Sequence, residues 1–286
     1  MGVGVLLSPL AIQIVLVLYQ TTWENVPSRA VLTQFMQEHP ESRLLLYDNS
    51  PIAQTHPFFA QPNLHYVHDP SNQGLAVAYN QGLQAAQAHQ LAWLLLLDDD
   101  TVLTPEYFHA VQATQVAPSE VVCFVPQMLT NQRQISPLVV NQYIDRHWTY
   151  PAVGISTQRL MAINSASVWR VAFLVELQGF ALQFPLDFLD HWLSYQVYQH
   201  KKVMAVLPVT LQHDLSVLHY QTMSLTRYQS ILQAENRYYT TVEPELSDRH
   251  QTQLKKRTLK QFFTVKNRKI WRATWQNYCQ MRKDES

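Results

Sequence analysis

Apolar and polar positions along this chain fall into two textures. Short, nearly continuous apolar runs occur at 12–18, 43–47, 64–67, 91–97, 121–126 and 203–207, the form taken by strands covered on both faces. Between them, apolar residues recur at three- and four-residue spacing over 27–38, 74–88, 105–114 and 186–200, with a shorter stretch near 167–174, and these predict helices. Strand and helix therefore alternate, which predicts a Rossmann-like α/β layer structure. The stretch from 127 to 165 keeps no strong period and contains Pro137 and Pro151, so a β-rich insertion or an irregular loop is expected there. Beyond His213 the pattern turns helical and increasingly basic.

The run from Leu91 to Leu97 is uncharged and closes on three adjacent carboxylates, Asp98, Asp99 and Asp100. Open α/β sheets bind ligands just beyond the carboxyl ends of their strands, so this run delivers acid to a cleft. In extended backbone Asp98 and Asp100 face one way and Asp99 the other. Like charges this close raise one another's pKa and are costly unless donors or a cation offset them. A hard divalent cation held by oxygen ligands is the simplest offset. The plainer alternative is a solvated acidic turn ahead of the helix that starts near Pro105.

At 286 residues with 47% hydrophobic and 11% aromatic content, the chain can bury a substantial core, as one large domain or one domain with an appendage. Cys123 and Cys279 lie far apart without metal-ligand spacing, which fits reduced cytosolic thiols rather than a disulfide framework or a zinc site. The formal net charge of +0 hides an asymmetry, because residues 1–250 hold 11 Lys and Arg against 19 Asp and Glu, whereas residues 251–286 hold 10 against 2. An acidic body argues against a phosphate-tracking nucleic-acid groove and leaves the tail for anionic contacts. The uncharged first 19 residues lack a basic start and a small-residue cleavage site, and Ser8, Pro9 and Gln13 interrupt them. They read as a short leader into the first buried strand rather than as a signal or a membrane span.

Ahead of the acids, Asn72, Gly74, Ala76, Ala78, Asn80 and Gly82 recur at every second position along the start of a predicted helix. Small residues let a ligand approach closely, Gly74 removes a side chain where the helix begins, and Asn72 can cap amides that also favour phosphate. An Ala-rich helix packed on the sheet is the simpler account of Ala76 and Ala78. Taken in order, the strand ending Tyr47-Asp48-Asn49-Ser50, the Asn-x-Gly segment and the run into Asp98-Asp99-Asp100 resemble the nucleotide-sugar domain of family 2 glycosyltransferases. The rhamnosyltransferase-like branch is the nearest match, over most of the first 215 residues.

The resemblance implies a GT-A fold, a Rossmann-like mixed sheet flanked by helices, in residues 1–215, followed by a basic helical extension in 216–286. It implies that Tyr19, Asp48, Asn72, Gly74, Asn80, Asp98 and Asp99 contact a UDP- or dTDP-sugar donor, with Asp48 accepting a hydrogen bond from the pyrimidine. Asp98 and Asp100, with His213, would hold Mg2+ or Mn2+ against the donor diphosphate, where a cation neutralises the charge that builds on the leaving group. On its residues alone Asp48 is equally a turn-forming aspartate, and a lone His213 equally a structural histidine.

Further along, Gly179-Phe180 and the segment Phe184-Pro185-Leu186-Asp187-Phe188-Leu189-Asp190-His191-Trp192 resemble the part of the family that opens a helix with the catalytic base. Matched residue by residue, Asp190 is that base, while Asp187 reads as the helix cap. Ser165, Ser167 and Gly179 would line the acceptor pocket. The chain departs from the family in having only six glycines: the family's Asp-Asn-Gly-Ser, Ser-Gly and Arg-Gly positions read Asp48-Asn49-Ser50, Ser165-Ala166-Ser167 and His200-Lys201, which alters pocket shape.

The implied activity is metal-dependent inverting transfer of a sugar, rhamnose among the options, to a glycan or lipid-linked acceptor in cell-surface polysaccharide synthesis by a cytoplasmic protein. The tail sets Trp271, Trp275 and Tyr278 among Lys266, Arg268, Lys269 and Arg272. It would dock peripherally on the inner face of the membrane, or make a contact between copies of the chain. Two rivals stand. Asp98-Asp99-Asp100-Thr101-Val102-Leu103 also fits the strand-end motif of haloacid-dehalogenase-type phosphohydrolases, with Asp98 as nucleophile and Asp100 as acid, although that motif opens a first strand and this one closes a fourth. The missing glycines also fit a catalytically degenerate GT-A scaffold subunit.

Overall fold

The computed structural model describes residues 10–114, 116–140, 148–213 and 223–284; most of the leader expected at the start of the chain lies outside them. Contacts divide the described residues into two compact units, one of residues 10–139 and 149–213, the other of residues 223–284 with 140 and 148.

The first unit has eleven strands among its described residues. They are β1 (Gln13–Leu18), β2 (Arg43–Asp48), β3 (Leu64–His68), β4 (Trp93–Asp98), β5 (Val121–Thr130), β6 (Arg133–Ser136), β7 (Leu138–Val139), β8 (Gly154–Ser156), β9 (Leu160–Met161), β10 (Ser167–Arg170) and β11 (Val203–Gln212). Its helices are α1 (Arg29–Glu38), α2 (Leu75–Ala88), α3 (Pro105–Gln112), α4 (Val171–Glu176) and α5 (Leu189–Gln199). Nine strands form one mixed sheet in the order β3-β2-β1-β4-β10-β5-β11-β8, with β6 paired to β5, while β7 and β9 make a separate pair. The GT-A arrangement implied by the resemblance is the one observed, a mixed sheet flanked by helices.

β1 is buried along its whole length, and β4 is buried until Asp98. Ile14, Leu16, Leu95 and Leu97 share one apolar cluster with Leu32 and Phe35 of α1 and Tyr107 and Phe108 of α3. α2 packs against β1 and β4. Strands covered on both sides need no polar face, which is why these runs read as continuous rather than alternating.

The expected helix near 167–174 is replaced by two elements. Ser167–Arg170 enters the sheet as β10, antiparallel to both β4 and β5, and only Val171–Glu176 is helical. Backbone groups of β10 find partners on two sides, an option invisible in a local period, and Trp169 is buried there. The expected helix from 186 begins at Leu189 because Phe188 takes a left-handed conformation (φ 65°) at its N-cap. The irregular 127–165 stretch holds the short strands β6 to β9.

The second unit packs α6 (Leu225–Thr241), α7 (Ser247–Thr264) and α8 (Arg268–Asp284) around Tyr228, Leu232, Leu254, Ile270, Ala273 and Met281. Buried polar groups set its register. Arg257 holds the carboxylate of Glu235 through two hydrogen bonds of 2.7 Å each, and the Tyr228 hydroxyl meets Thr274 Oγ1 at 2.7 Å and the Gln261 amide at 2.7 Å. No helix among the described residues is long and apolar enough to cross a membrane.

His250 is fully buried against the Tyr239 ring, with its Nε2 3.0 Å from Asn236 Oδ1. Burial pushes its pKa down to about 4, against the opposing pull of Glu235. A lowered folded pKa means that the folded state refuses a proton the unfolded chain accepts, so stability is full above the ordinary histidine value and falls as pH drops toward 4. We expect a loss of about 1.4 kcal/mol per pH unit in that window from this group. Urea titrations of His250→Gln should show a flatter acid limb than those of the parent chain.

Candidate active site

Parallel pairing sets Leu18 beside Asp48 and Val17 beside Asp98, so β1, β2 and β4 end together at one edge of the sheet. From that edge the three acids leave in three directions. Asp98 Oδ1 accepts a hydrogen bond from the Tyr79 hydroxyl of α2 at 3.0 Å. Asp99 turns back to β1, where the Tyr19 N–H donates to it at 3.0 Å and the Thr21 hydroxyl also bonds it. Asp100 reaches the end of β11, with its Oδ1 3.2 Å from His213 Nδ1. Beneath them, Ser165 Oγ accepts the Asp98 N–H at 2.9 Å, and the buried Thr101 hydroxyl bridges Ser165 Oγ (2.7 Å) and His213 Nδ1 (2.9 Å).

Burial, and then the charge of Asp100, push the Asp98 carboxyl up to about 7, although His213 and the Tyr79 hydrogen bond pull the other way. Burial also raises Asp99 against its two donors. Such a cluster has too few donors for its charge. Among the described residues no three His, Cys, Asp or Glu side chains form a metal cage. Mg2+ and Mn2+ are nevertheless commonly held by one or two carboxylates, with diphosphate oxygens and water completing the shell. Asp98 and Asp100 fit that mode. A pocket of about 290 Å3 opens beside them, lined by Asp100, Val102, Thr130, Asn131, Gln212 and His213. A larger groove of about 680 Å3, along the outer side of α2, has no carboxylate in its lining.

Asp190 lies in the first turn of α5, its Oδ1 accepting the His191 N–H at 2.8 Å. The Tyr79 hydroxyl is fully buried and driven well above its ordinary pKa, first by burial, then by Asp98, and further by Asp190 and Asp100. The charges of the triple-acid edge and of Asp190 thus act on one hydroxyl.

Two contacts hold the segment leading into Asp190 against α2. At the start of α2 the Ala76 N–H donates to Pro185 O at 3.2 Å, and a Cβ on Gly74 (φ 97°) would stand 2.4 Å from that same oxygen. At the next turn Asn80 clamps Phe180 by donating to its carbonyl at 2.9 Å and accepting its N–H at 2.8 Å. A Cβ on Gly179 (φ 93°) would stand 2.3 Å from Asn80 Oδ1. Gly74, Asn80 and Gly179, expected at the donor and acceptor, are therefore placed to seat the segment leading into Asp190.

Other expected positions shift as well. Asn72 is exposed in a left-handed turn (φ 47°), and the N-cap is Gly74 without a side-chain hydrogen bond, so Asn72 is no cap. Asp187 is no cap either, since Phe188 holds that position. Asp48 is completely buried and accepts from the Ser50 N–H (2.9 Å), the Gln54 amide (2.9 Å) and the Tyr66 hydroxyl (2.7 Å), the pattern of a turn-forming aspartate. Ser165 and Ser167 are fully buried, Ser165 bracing Asp98 and Ser167 accepting from the Trp169 indole at 2.7 Å, so neither lines an open pocket. Tyr19 stays half exposed at the edge.

Two positions where the family's glycine is missing keep a glycine-like backbone, Ala166 at φ 58° and Lys201 at φ 52°. Tyr79 and Thr101 are the site residues that sequence reasoning missed. Tyr79 lies among the small residues before Asn80, and Thr101 directly follows the acids.

Gly74→Ala should cost roughly 1–3 kcal/mol in urea unfolding, because it adds a clash to a backbone angle that L-residues avoid. A raised carboxyl pKa destabilises the folded state fully above that pKa and ceases to matter below the unfolded value. Asp98→Asn should therefore raise the melting temperature of the metal-free protein at about pH 8, with a gain that shrinks toward about pH 4.

A family model for glycosyl transferase family 2 matches residues 28–170. In fold, the chain is similar to a 1-349 portion of TarS from S. aureus, with a TM-score of 0.52 at 12% identity, over 95% of this chain and 81% of that one. It is also similar to a longer S. aureus TarS chain, with a TM-score of 0.55 at 13% identity, over 95% of this chain and 49% of that one. For the 1-349 portion in complex with UDP-GlcNAc the TM-score is 0.50 at 12% identity, with 95% and 81% covered. No curated protein matches significantly in sequence. With half of its length matched by the family model and the sheet arranged as described, the chain belongs to glycosyl transferase family 2 and is a glycosyltransferase.

Proposed function

We propose that the protein transfers a hexosyl group, with inversion, from a nucleoside diphosphate sugar to a hydroxyl of a glycan or lipid-linked acceptor. The observation that carries this reading is the carboxyl edge of the sheet, where Asp98 accepts from the Tyr79 hydroxyl at 3.0 Å and Asp100 stands 3.2 Å from His213, together with the bonds from Ala76 and Asn80 of α2 to Pro185 and Phe180, which hold the segment leading into Asp190 against that helix. On this reading, acid for a cation-bound diphosphate and a carboxylate for the acceptor proton border one cleft. S. aureus TarS, similar in fold, has been captured with UDP-GlcNAc, which supports a uridine or related pyrimidine diphosphate donor.

Asp98 and Asp100 would hold Mg2+ or Mn2+, which supplies positive charge to the departing diphosphate. Asp190 takes the proton of the acceptor hydroxyl as its oxygen bonds the anomeric carbon, and the bond from that carbon to the diphosphate oxygen breaks on the opposite side with its electron pair. His213, its Nδ1 engaged by Asp100 and Thr101, positions Asp100. Tyr79 holds Asp98 and the Tyr19 N–H holds Asp99, and the half-exposed Tyr19 ring would meet the nucleotide at this edge. Asp48 shapes the floor through Ser50, Gln54 and Tyr66 rather than meeting the base directly.

A phosphohydrolase reading, with Asp98 as nucleophile, has no such support, since its motif belongs on a first strand and β4 is the fourth. Rhamnose is the donor sugar named by the resemblance. Calorimetry with UDP and dTDP, and with UDP-GlcNAc and dTDP-rhamnose, decides among the donors. Nucleotide should bind in the presence of Mn2+ and lose at least tenfold in affinity in Asp100→Ala, since a charge-assisted contact contributes about 1.5–3 kcal/mol. Asp190→Asn should keep nucleotide binding while transfer falls by roughly 10^2–10^4, the usual scale of a missing general base. Absence of Mn2+-dependent nucleotide binding in the parent chain would refute the proposal.

A further inference from the structure

The helical unit presents an apolar stripe that its own core does not use. Leu259, Phe262 and Phe263, in the last two turns of α7, are 64%, 42% and 76% exposed, and Trp275 of α8 is 43% exposed. On α7, Leu259 and Phe263 point away from Leu254, Thr258 and Gln261, which are buried, and Phe262 lies at the border between the two sides. Phe262 meets Phe263 and Trp271 edge-on at centroid distances of 5.1 and 5.3 Å, and the Arg268 guanidinium lies 5.2 Å over its ring. Lys255 falls within the stripe, Lys256 and Lys260 flank it, and Lys266, Arg268 and Lys269 follow at the turn into α8. From Gln251 to Lys283 the sequence has ten basic residues and no acidic one.

Exposed aromatics ringed by cations, on a helix whose other side is already packed, have the chemistry of an interfacial surface. Apolar rings enter the boundary of the acyl chains, lysine stems run alongside them, and the ammonium groups stay at the level of the phosphates. A symmetric contact between two copies would set these lysines against one another. We propose that the end of α7 and its turn into α8 form a docking surface for an anionic lipid bilayer, with Leu259 and Phe263 inserting and Lys256, Lys260, Lys266 and Lys269 contacting headgroups. The proposal stands independently of the transfer reaction.

Co-sedimentation of the full chain with phosphatidylcholine vesicles, with and without phosphatidylglycerol, tests it. Binding should require phosphatidylglycerol and weaken with salt. Lys260→Ala combined with Lys266→Ala should lower partitioning about 30-fold, at about 1 kcal/mol for each basic side chain. Leu259→Ser combined with Phe263→Ser should lower it at least tenfold, with an unchanged melting temperature because both side chains are exposed. UDP binding measured on the same variants should not move, which separates this outcome from that of the active-site reading. Equal binding to neutral vesicles, or insensitivity to both variant pairs, overturns the proposal. So does binding to an oligonucleotide, or self-association lost in the Ser pair, without binding to anionic vesicles.

Discussion

Three like charges at the end of one buried strand cannot share a cleft without partners, and the partners they find organise the carboxyl edge of this sheet. Asp98 draws in Tyr79 from α2, Asp99 the backbone at the end of β1, and Asp100 the histidine at the end of β11. Ser165 and Thr101, both fully buried, tie the base of the cluster together and carry the link to His213. Even so Asp98 remains hard to ionise, because burial and Asp100 outweigh the donors. On the proposed reading the cluster would receive a cation, whose charge would serve a departing diphosphate.

The second constraint is one of distance. On the proposed reading Asp190 must come within hydrogen-bond reach of the acceptor, and the segment leading into it is held close to α2. Glycine at 74 and 179 allows the approach, and Asn80 fastens it with both ends of one amide. Gly74, Asn80 and Gly179, for which the resemblance implies ligand contacts, also hold two chain segments together. Either function favours a residue with little or no side chain, since a ligand and a neighbouring backbone demand the same room.

The helical unit follows a different economy. Its core is small, and buried polar pairs supply much of its register, among them Glu235 with Arg257 and Tyr228 with Thr274 and Gln261. The apolar residues on the outer side of α7 take no part in that core.

The sequence by itself determined the layered α/β class, most strand positions, the acidic strand end and the position of Asp190 in the first turn of a helix. These are local facts, carried by continuous apolar runs and by residue order, and they survive without knowledge of partners. Tertiary structure decided the rest. β10 is a strand because β4 and β5 lie on either side of it. Asp48, Ser165 and Ser167 are interior groups because donors and neighbours from distant positions enclose them. Tyr79 belongs to the site only because α2 lies over β4 and turns that hydroxyl toward Asp98. Burial and hydrogen-bond partnership are properties of pairs of residues far apart in the chain, and no local pattern encodes which pairs will meet.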